Sequence, residues 1–303
     1  MDGPLVTNHL RTKIKELLDF AAITLAGIQV ELVKNDFEGL LKVKEHLRNI
    51  DTRNEELQTG FDVCAATIRF LRSYDIPWLE DVDLKLQKAG RLWRQARETA
   101  DITAVRIQPL VKEASLQLKL ELADYEETVT EYAESHRENL YWKYDTGHED
   151  ALERLDISKE NHKKEWMPTF HQKLHVATVF DIPDLVENSR RILDDVKSDH
   201  TILQEFWYIV ESWTNWYEIV EAIAWADVDA SKLGLEVAKL RDAMGKVPEK
   251  LHKSNVFLGH ASTLKDFATV CPIIGDLKSD AMRPRHWKQF MSSLKTRFTP
   301  PYV

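Results

Sequence analysis

Cysteine is nearly absent from this chain of 303 residues, with Cys64 and Cys271 the only two. They lie far apart, and the chain has no Asn-x-Ser/Thr sequon, so nothing points to an oxidising or secreted setting. Both are expected to be buried thiols rather than disulfide or metal partners. Glycine and proline are sparse at ten each, and Asn-Gly turns are missing, which removes the turn chemistry of an all-β fold. Long hydrophobic runs are missing as well. The best candidate, Phe20 to Val30, is interrupted by Thr24, Gly27 and Gln29 and falls short of the roughly 20 residues a membrane helix needs. No basic segment with a following apolar stretch and small-residue cleavage site opens the chain. A soluble, cytosolic protein without a signal peptide is therefore expected.

Nucleotide and catalytic motifs are lacking too. A phosphate loop needs glycines whose bare backbone can curl around the anion, with a lysine and a hydroxyl at fixed spacing. Gly245-Lys246 is followed by Val247, with Leu240 where the earlier glycine should stand, and no G-x-G-x-x-G occurs. His148-Glu149 begins like a helical zinc signature, but the second histidine position holds Leu152. His162, His171 and His175 have no neighbouring Cys or second orienting pair, and packing or surface roles are expected for them. The pair Asp194-Asp195 points to different sides of a helix, and neither Gly-x-Ser-x-Gly nor a cysteine nucleophile motif is present. The expectation is a segment with no catalytic residue, no cofactor and no metal site. An active site assembled from distant positions is the alternative.

What the chain does have is apolar material, 43% of residues, with 30% charged, enough for a folded core and too much for disorder. The net charge of −9 argues against nucleic acid as a partner. It is unevenly spread: Glu121 to Glu160 carries thirteen acidic and four basic residues, and Asp276 to Phe298 six Lys or Arg against two acids. A solvated helix face explains the acidic stretch, with docking of a basic partner as the other reading.

The periodicity is helical throughout. Leu10, Ile14, Leu17, Ala21, Leu25, Ile28 and Leu32 form one stripe, ending near Asn35. Asn35 or Asp36 then caps a helix carrying Leu40, Val43, Leu47, Ile50 and Leu57, followed by a separate helix from Gly60 to Ser73. Tyr74-Asp75-Ile76-Pro77-Trp78 predicts a break, and Pro77 can begin the next helix, which Pro109 is expected to kink or interrupt. Val111, Ala114, Leu118, Leu122, Tyr125, Val129 and Tyr132, with His136 and Leu140 beyond, extend a coiled-coil-like helix to Trp142. Tyr144 to Gly147 is a turn, His148 to Trp166 a helix, and Pro168 to Pro183 a connector and domain boundary.

Beyond it, Leu203, Phe206, Val210, Trp213, Tyr217, Val220 and Ala224 step by three and four, a heptad seam that Trp207 and Trp216 widen. An aromatic ligand site is conceivable there, but the helical spacing favours bundle core. Asp227 to Ala230 is a turn with Ser231 as the cap, and Gly245 to Pro248 ends the following helix. The last two helices are expected over Ser254–Val270 and Ser279–Thr296, with Cys271-Pro272-Ile273-Ile274-Gly275-Asp276 as a loop. The fold class is all-α: elongated antiparallel helical bundles in series with no β-sheet.

Met282-Arg283-Pro284-Arg285-His286-Trp287-Lys288-Gln289 resembles the Arg-His-Trp signature near the start of the dynein heavy chain linker. Phe206, Trp207, Trp213 and Trp216 look like the Trp-rich helix of that region. Leu240 to Leu251, with Val247-Pro248, is similar to its next block. Cys271 to Leu277, with Pro272, is similar to the turn leading into Arg-His-Trp. The resemblance is specific over Asp199 to Leu294, and Trp93 followed by a long acidic helix looks more axonemal than cytoplasmic. It implies residues 1–180 as a tail bundle and 181–303 as the N-terminal part of the linker. The chain would be a mechanical segment of an ATP-driven microtubule motor, stopping before the AAA+ ring. Implied partners are the rest of the heavy chain with that ring and other dynein chains, with no nucleic acid and no membrane. The implied location is the cytoskeleton, including the ciliary or flagellar axoneme. Around Arg285-His286-Trp287, Trp287 is expected to pack, Arg285 to pair with an acid and His286 to satisfy a backbone carbonyl, against a direct role in linker movement. A spectrin-like cytoskeletal cross-linker is the competing function, although its repeat of about a hundred residues is not seen.

Overall fold

The computed structural model describes residues 3–33, 35–74 and 78–297. Among them the chain is α-helical with no strand: α1 Gly3–Ile28, α2 Phe37–Leu71, α3 Leu79–Glu138, α4 His148–Asn161, α5 Met167–Val179, α6 Glu187–Ala222, α7 Ala230–Gly245, α8 Asn255–Leu277 and α9 Pro284–Leu294. Short 3-10 turns stand between several of these, and a π turn, His162–Trp166, joins α4 to α5. The all-α class holds. The expected break at Asp75 to Pro77 lies outside the described residues.

Two compact units divide the chain, one of residues 1–126 and 171–188, the other of 127–170 and 189–303. The first has a three-helix core. Leu10, Ile14, Leu17, Ala21, Leu25 and Ile28 of α1 meet Ile50, Leu57, Cys64 and Ile68 of α2 and Leu79, Val82, Leu86, Ala89, Trp93 and Ala96 of α3. The end of α1 at Ile28 is earlier than its stripe suggests because α3 satisfies its free carbonyls. Buried Thr103 donates its hydroxyl to Ile28 O at 3.2 Å and Arg106 donates to Val30 O at 3.2 Å. Asp36 caps α2, its carboxylate accepting from Gly39 N at 2.8 Å.

Within the same unit α5 ends in a Schellman turn. Asp181 N donates to Thr178 O at 3.2 Å and Ile182 N to Ala177 O at 2.9 Å, with Asp181 left-handed at φ 59° where glycine is usual. The aspartate is retained by what its carboxylate does: it takes Lys44 Nζ at 2.6 Å and Arg48 at 3.1 Å. Phe180 beside it stacks on Phe37 at 5.6 Å.

Four sequence expectations are corrected, three of them by the same physics. α2 runs through Gly60, because the buried stripe Ile50, Leu57, Cys64, Ile68 crosses it and outweighs the roughly 1 kcal/mol cost of a helical glycine. α3 is continuous through Pro109, with buried Thr103 and Ile107 before it and Leu118 and Leu122 after, while the proline itself faces solvent where water can take the carbonyl it leaves free. The connector expected at Pro168 to Pro183 is largely helix. The π turn sets Met167 N–H on His162 O, a looser winding that accommodates the ring of Pro168 without ending the helix. The fourth concerns a cap: Asp229, not Ser231, caps α7, accepting from Ser231 N at 3.0 Å and Lys232 N at 3.2 Å.

Candidate functional site

The aromatic seam of α6 is the core of the second unit. Leu203, Phe206, Trp207, Val210 and Trp213 are buried, and Trp216 and Val220 are partly covered. The seam loses burial earlier than its spacing suggests, since Tyr217 is 39% exposed and Ala224 lies beyond the helix. Its partners are Leu233, Val237 and Met244 of α7 and Val256, Leu264 and Cys271 of α8. Phe267 of α8 meets Trp213 at 5.4 Å and Trp216 at 5.5 Å, both edge to face, the geometry that ring quadrupoles favour. Trp207 is wholly buried, and its indole N–H donates to Tyr141 O at 3.0 Å. The seam is therefore bundle core, its rings packed on one another and on α7 and α8.

Pro272 is not in a loop, as expected from the sequence, but inside α8. The stripe Leu264, Phe267, Ala268, Cys271, Ile274 continues across it onto the core. The ring points to solvent, so packing on the far face holds the helix despite the lost amide. One further contact fixes the register here: the Tyr144 ring lies where a Cβ on Gly259 would stand, and its hydroxyl bonds Thr263 at 2.8 Å.

At the start of α9, Trp287 packs as expected, 6% exposed and edge-on to Trp225 at 6.3 Å. His286 differs: its Nδ1 accepts from the backbone N–H of Arg283 at 3.2 Å instead of donating to a carbonyl. Arg285 points its Nε at the same ring, 3.1 Å from Nε2, and not at an acid. A neutral imidazole has a single acceptor nitrogen, so only one of these two approaches is a hydrogen bond. The free backbone donor at the helix N-terminus has the stronger claim.

The sequence reading missed a second feature, a buried polar junction. His136 in the last turn of α3, Tyr141 in the 3-10 turn Leu140–Trp142, Ser158 of α4, His162 of the π turn and Asp199 and His200 of α6 come together. The His136 and His200 rings stand 4.8 Å apart edge to face, and His162 and His200 5.6 Å apart. Tyr141 hydroxyl is 2.7 Å from His136 Nδ1 and 3.3 Å from Ser158 Oγ, which is 2.8 Å from His200 Nε2. Tyr132 hydroxyl approaches His162 Nδ1 at 3.2 Å. Burial, with the neighbouring imidazoles, pushes His200 down to about 3 and lowers His162. Burial alone would raise Asp199, yet it is held below the usual carboxylate range. His136 Nε2 is 3.8 Å away, beyond hydrogen-bond reach, so the Lys250 ammonium at 2.7 Å is the contact that keeps it charged.

Of the histidines singled out from sequence, only His162 belongs here. His175 lies in the other unit, 4.0 Å from Glu45. The signal for the junction was present in the pattern: His136 sits on the apolar stripe of α3, and His200 precedes Leu203 by one step of the α6 seam. A polar residue at a core position needs a polar partner.

Ser158 lies 2.8 Å from His200 Nε2, but burial that pushes this imidazole down to about 3 makes it a weak base for the hydroxyl. Among the described residues no group of three His, Cys, Asp or Glu side chains is placed to hold a metal ion, and no helix is long and apolar enough to cross a membrane. Both cysteines are buried free thiols. An open cleft of about 780 Å³ between α1 and α2 is walled by Lys13, Glu16, Arg53 and Glu56. These charges already pair with one another.

A family model described as dynein heavy chain, N-terminal region 2, matches residues 193–302, which span α6 from Leu193 to α9. Dynein axonemal heavy chain 17 of Homo sapiens is 21% identical over 97% of this chain. Over residues 193–302, about a third of the chain, it is similar to the dynein heavy chain N-terminal region. The dynein alpha chain of the flagellar outer arm of Chlamydomonas reinhardtii is 22% identical over 95% of it, and dynein axonemal heavy chain 11 of Sus scrofa 22% identical over 94%. The chain is thus similar to the N-terminal region of axonemal dynein heavy chains, and it spans about 6% of the length of these relatives. Phe206, Trp207, Trp213, Trp216, Pro272, Arg285, His286 and Trp287 all lie inside the matched stretch of this dynein region.

Proposed function

We propose that this chain is a non-catalytic mechanical segment of an axonemal dynein heavy chain. Residues 1–180 belong to the tail and 181–303 begin the linker that joins the tail to the AAA+ motor. The observation that carries the reading is the coincidence of the family match over 193–302 with the aromatic seam of α6, closed on both sides by α7 and α8. A segment that transmits force must resist local bending, and interlocked tryptophans with a buried indole hydrogen bond supply large, directional packing. Its partners are the remainder of the heavy chain with its ring and the other chains of a dynein assembly. Its location is the cytoskeleton of the cilium or flagellum, in keeping with the axonemal and flagellar names of its relatives. Helices from 11 to 60 residues long favour this reading over the near-equal helices of a spectrin-like cross-linker.

The test is a full axonemal heavy chain carrying Phe206→Ala and Trp207→Ala. Microtubule gliding should slow severely while ATP turnover without microtubules is retained. Unchanged gliding, or ATP turnover by the 303-residue chain alone, contradicts the proposal.

A further inference from the structure

We propose that the packed rings of His136, His162 and His200 form a proton-sensitive clasp: taking up a proton parts the end of α3 and the π turn from α6 while the first unit stays closed. The rings come from three elements and meet edge to face at 4.8 and 5.6 Å, so a charge on one is placed against its neighbours. Two ring nitrogens, His136 Nε2 and His162 Nε2, are buried with no protein partner, so the junction is incompletely satisfied even when closed. A π turn at His162–Trp166 adds a loosely wound segment at the same place.

The charged and titratable groups around the rings divide: lysines and neighbouring imidazoles oppose protonation, and the aspartates favour it. α3 brings Tyr132 along with His136, the 3-10 turn brings Tyr141, and α4 brings Lys159. α6 brings Lys197, Asp194 and Asp199. The turn Glu249–Leu251 brings Lys250, which already holds Asp199 at 2.7 Å. Thus the carboxylate nearest the rings is engaged by an ammonium, while the ring partners of His162 and His200 are the hydroxyls of Tyr132 and Ser158. A proton on either of those rings meets burial, neighbouring imidazoles and lysines that outweigh the attraction of Asp194 and Asp199, whereas opening gives it water.

His200 is held at about 3 when closed and reverts to an ordinary value near 6.5 when open. Protonation at pH 5 therefore multiplies the opening constant by about 30 for this ring alone. His162 shifts in the same direction and adds to it.

Deuterium exchange on the whole chain tests this at pH 7.5 and 5.0, with labelling times scaled for intrinsic exchange. Peptides spanning Tyr132–Trp142, Ser158–Trp166 and Val196–Leu203 are compared with Ile14–Leu25 of the first unit. Clasp peptides should open at least about 30-fold more at the lower pH relative to that reference. The increase should fall to a few-fold in His162→Gln/His200→Gln, whose amides still meet the hydroxyls but do not titrate. Equal responses of clasp and reference peptides, or an undiminished rise in the glutamine variant, overturn the proposal. If that variant does not fold, imidazole resonances of the unmodified chain decide. His162 and His200 rings that titrate near pH 6.5 while the clasp peptides stay protected overturn it; His162 and His200 rings that titrate only as those peptides open support it.

Discussion

Trp207→Phe separates the role of the indole hydrogen bond from the bulk of the ring. Trp207 is fully buried, and its N–H donates to Tyr141 O at 3.0 Å. Phenylalanine leaves that carbonyl buried and unpartnered, at about 1–3 kcal/mol, and the smaller ring costs on the order of 1 kcal/mol more. The expected loss is about 2–4 kcal/mol. Trp93 in the first unit is the matched control: it is 3% exposed, but its indole nitrogen has no protein partner. Trp93→Phe changes ring size without orphaning an acceptor and removes a buried donor. Its cost should be no more than about 1 kcal/mol. Urea unfolding followed by far-UV circular dichroism reads both, and the difference amounts to a midpoint shift of roughly 1 M. Equal costs, or a larger loss for Trp93→Phe, would refute the reasoning.

Other outcomes follow from the same contacts. Pro272→Ala restores an amide inside α8 and should raise stability by about 1–3 kcal/mol; no gain in the unfolding midpoint would mean the segment is a loop after all. Asp229→Ala removes the acceptor for two amides at the start of α7 and should lower the unfolding midpoint, measured in the same way. Gly259→Ala places a methyl group against the ring of Tyr144 and should lower the melting temperature by several degrees, whereas the same change at Gly234, where the space is open, should not lower it. His200, depressed in the folded state to about 3, contributes stability that is complete above pH 6.5 and is lost as pH falls below it. That is about 2 kcal/mol by pH 5, and a His200→Gln chain should show a correspondingly flatter melting temperature between pH 7 and 5.

The helical class was legible because burial follows the spacing of apolar residues: the α1 stripe from Leu10 to Ile28 and the α6 seam from Leu203 to Trp213 are buried where the periodicity puts them. Helix ends were less legible, because local breaker rules compete with tertiary packing. Gly60, Pro109, Pro168 and Pro272 all read as punctuation, yet each lies in a helical run whose buried face continues past it. The junction of His136, His162 and His200 was hidden for another reason. Its members are far apart in the chain, and only the fold supplies their partners, although His136 on an apolar stripe already marked one of them. The family resemblance rested on Trp207, Pro272 and Arg285-His286-Trp287 and was the part of the functional reading that sequence carried furthest, even where the local structure around Pro272 and His286 differed from expectation.

Pulling a single chain by its two ends in an optical trap tests the load-bearing role most directly. The account predicts that the intact chain stays folded at forces that fully extend a Gly/Ser chain of equal length, and that Phe206→Ala/Trp207→Ala lowers the force at which the second unit gives way. Extension of the intact chain at the same low force as the flexible control, with no change on removing these rings, would contradict it.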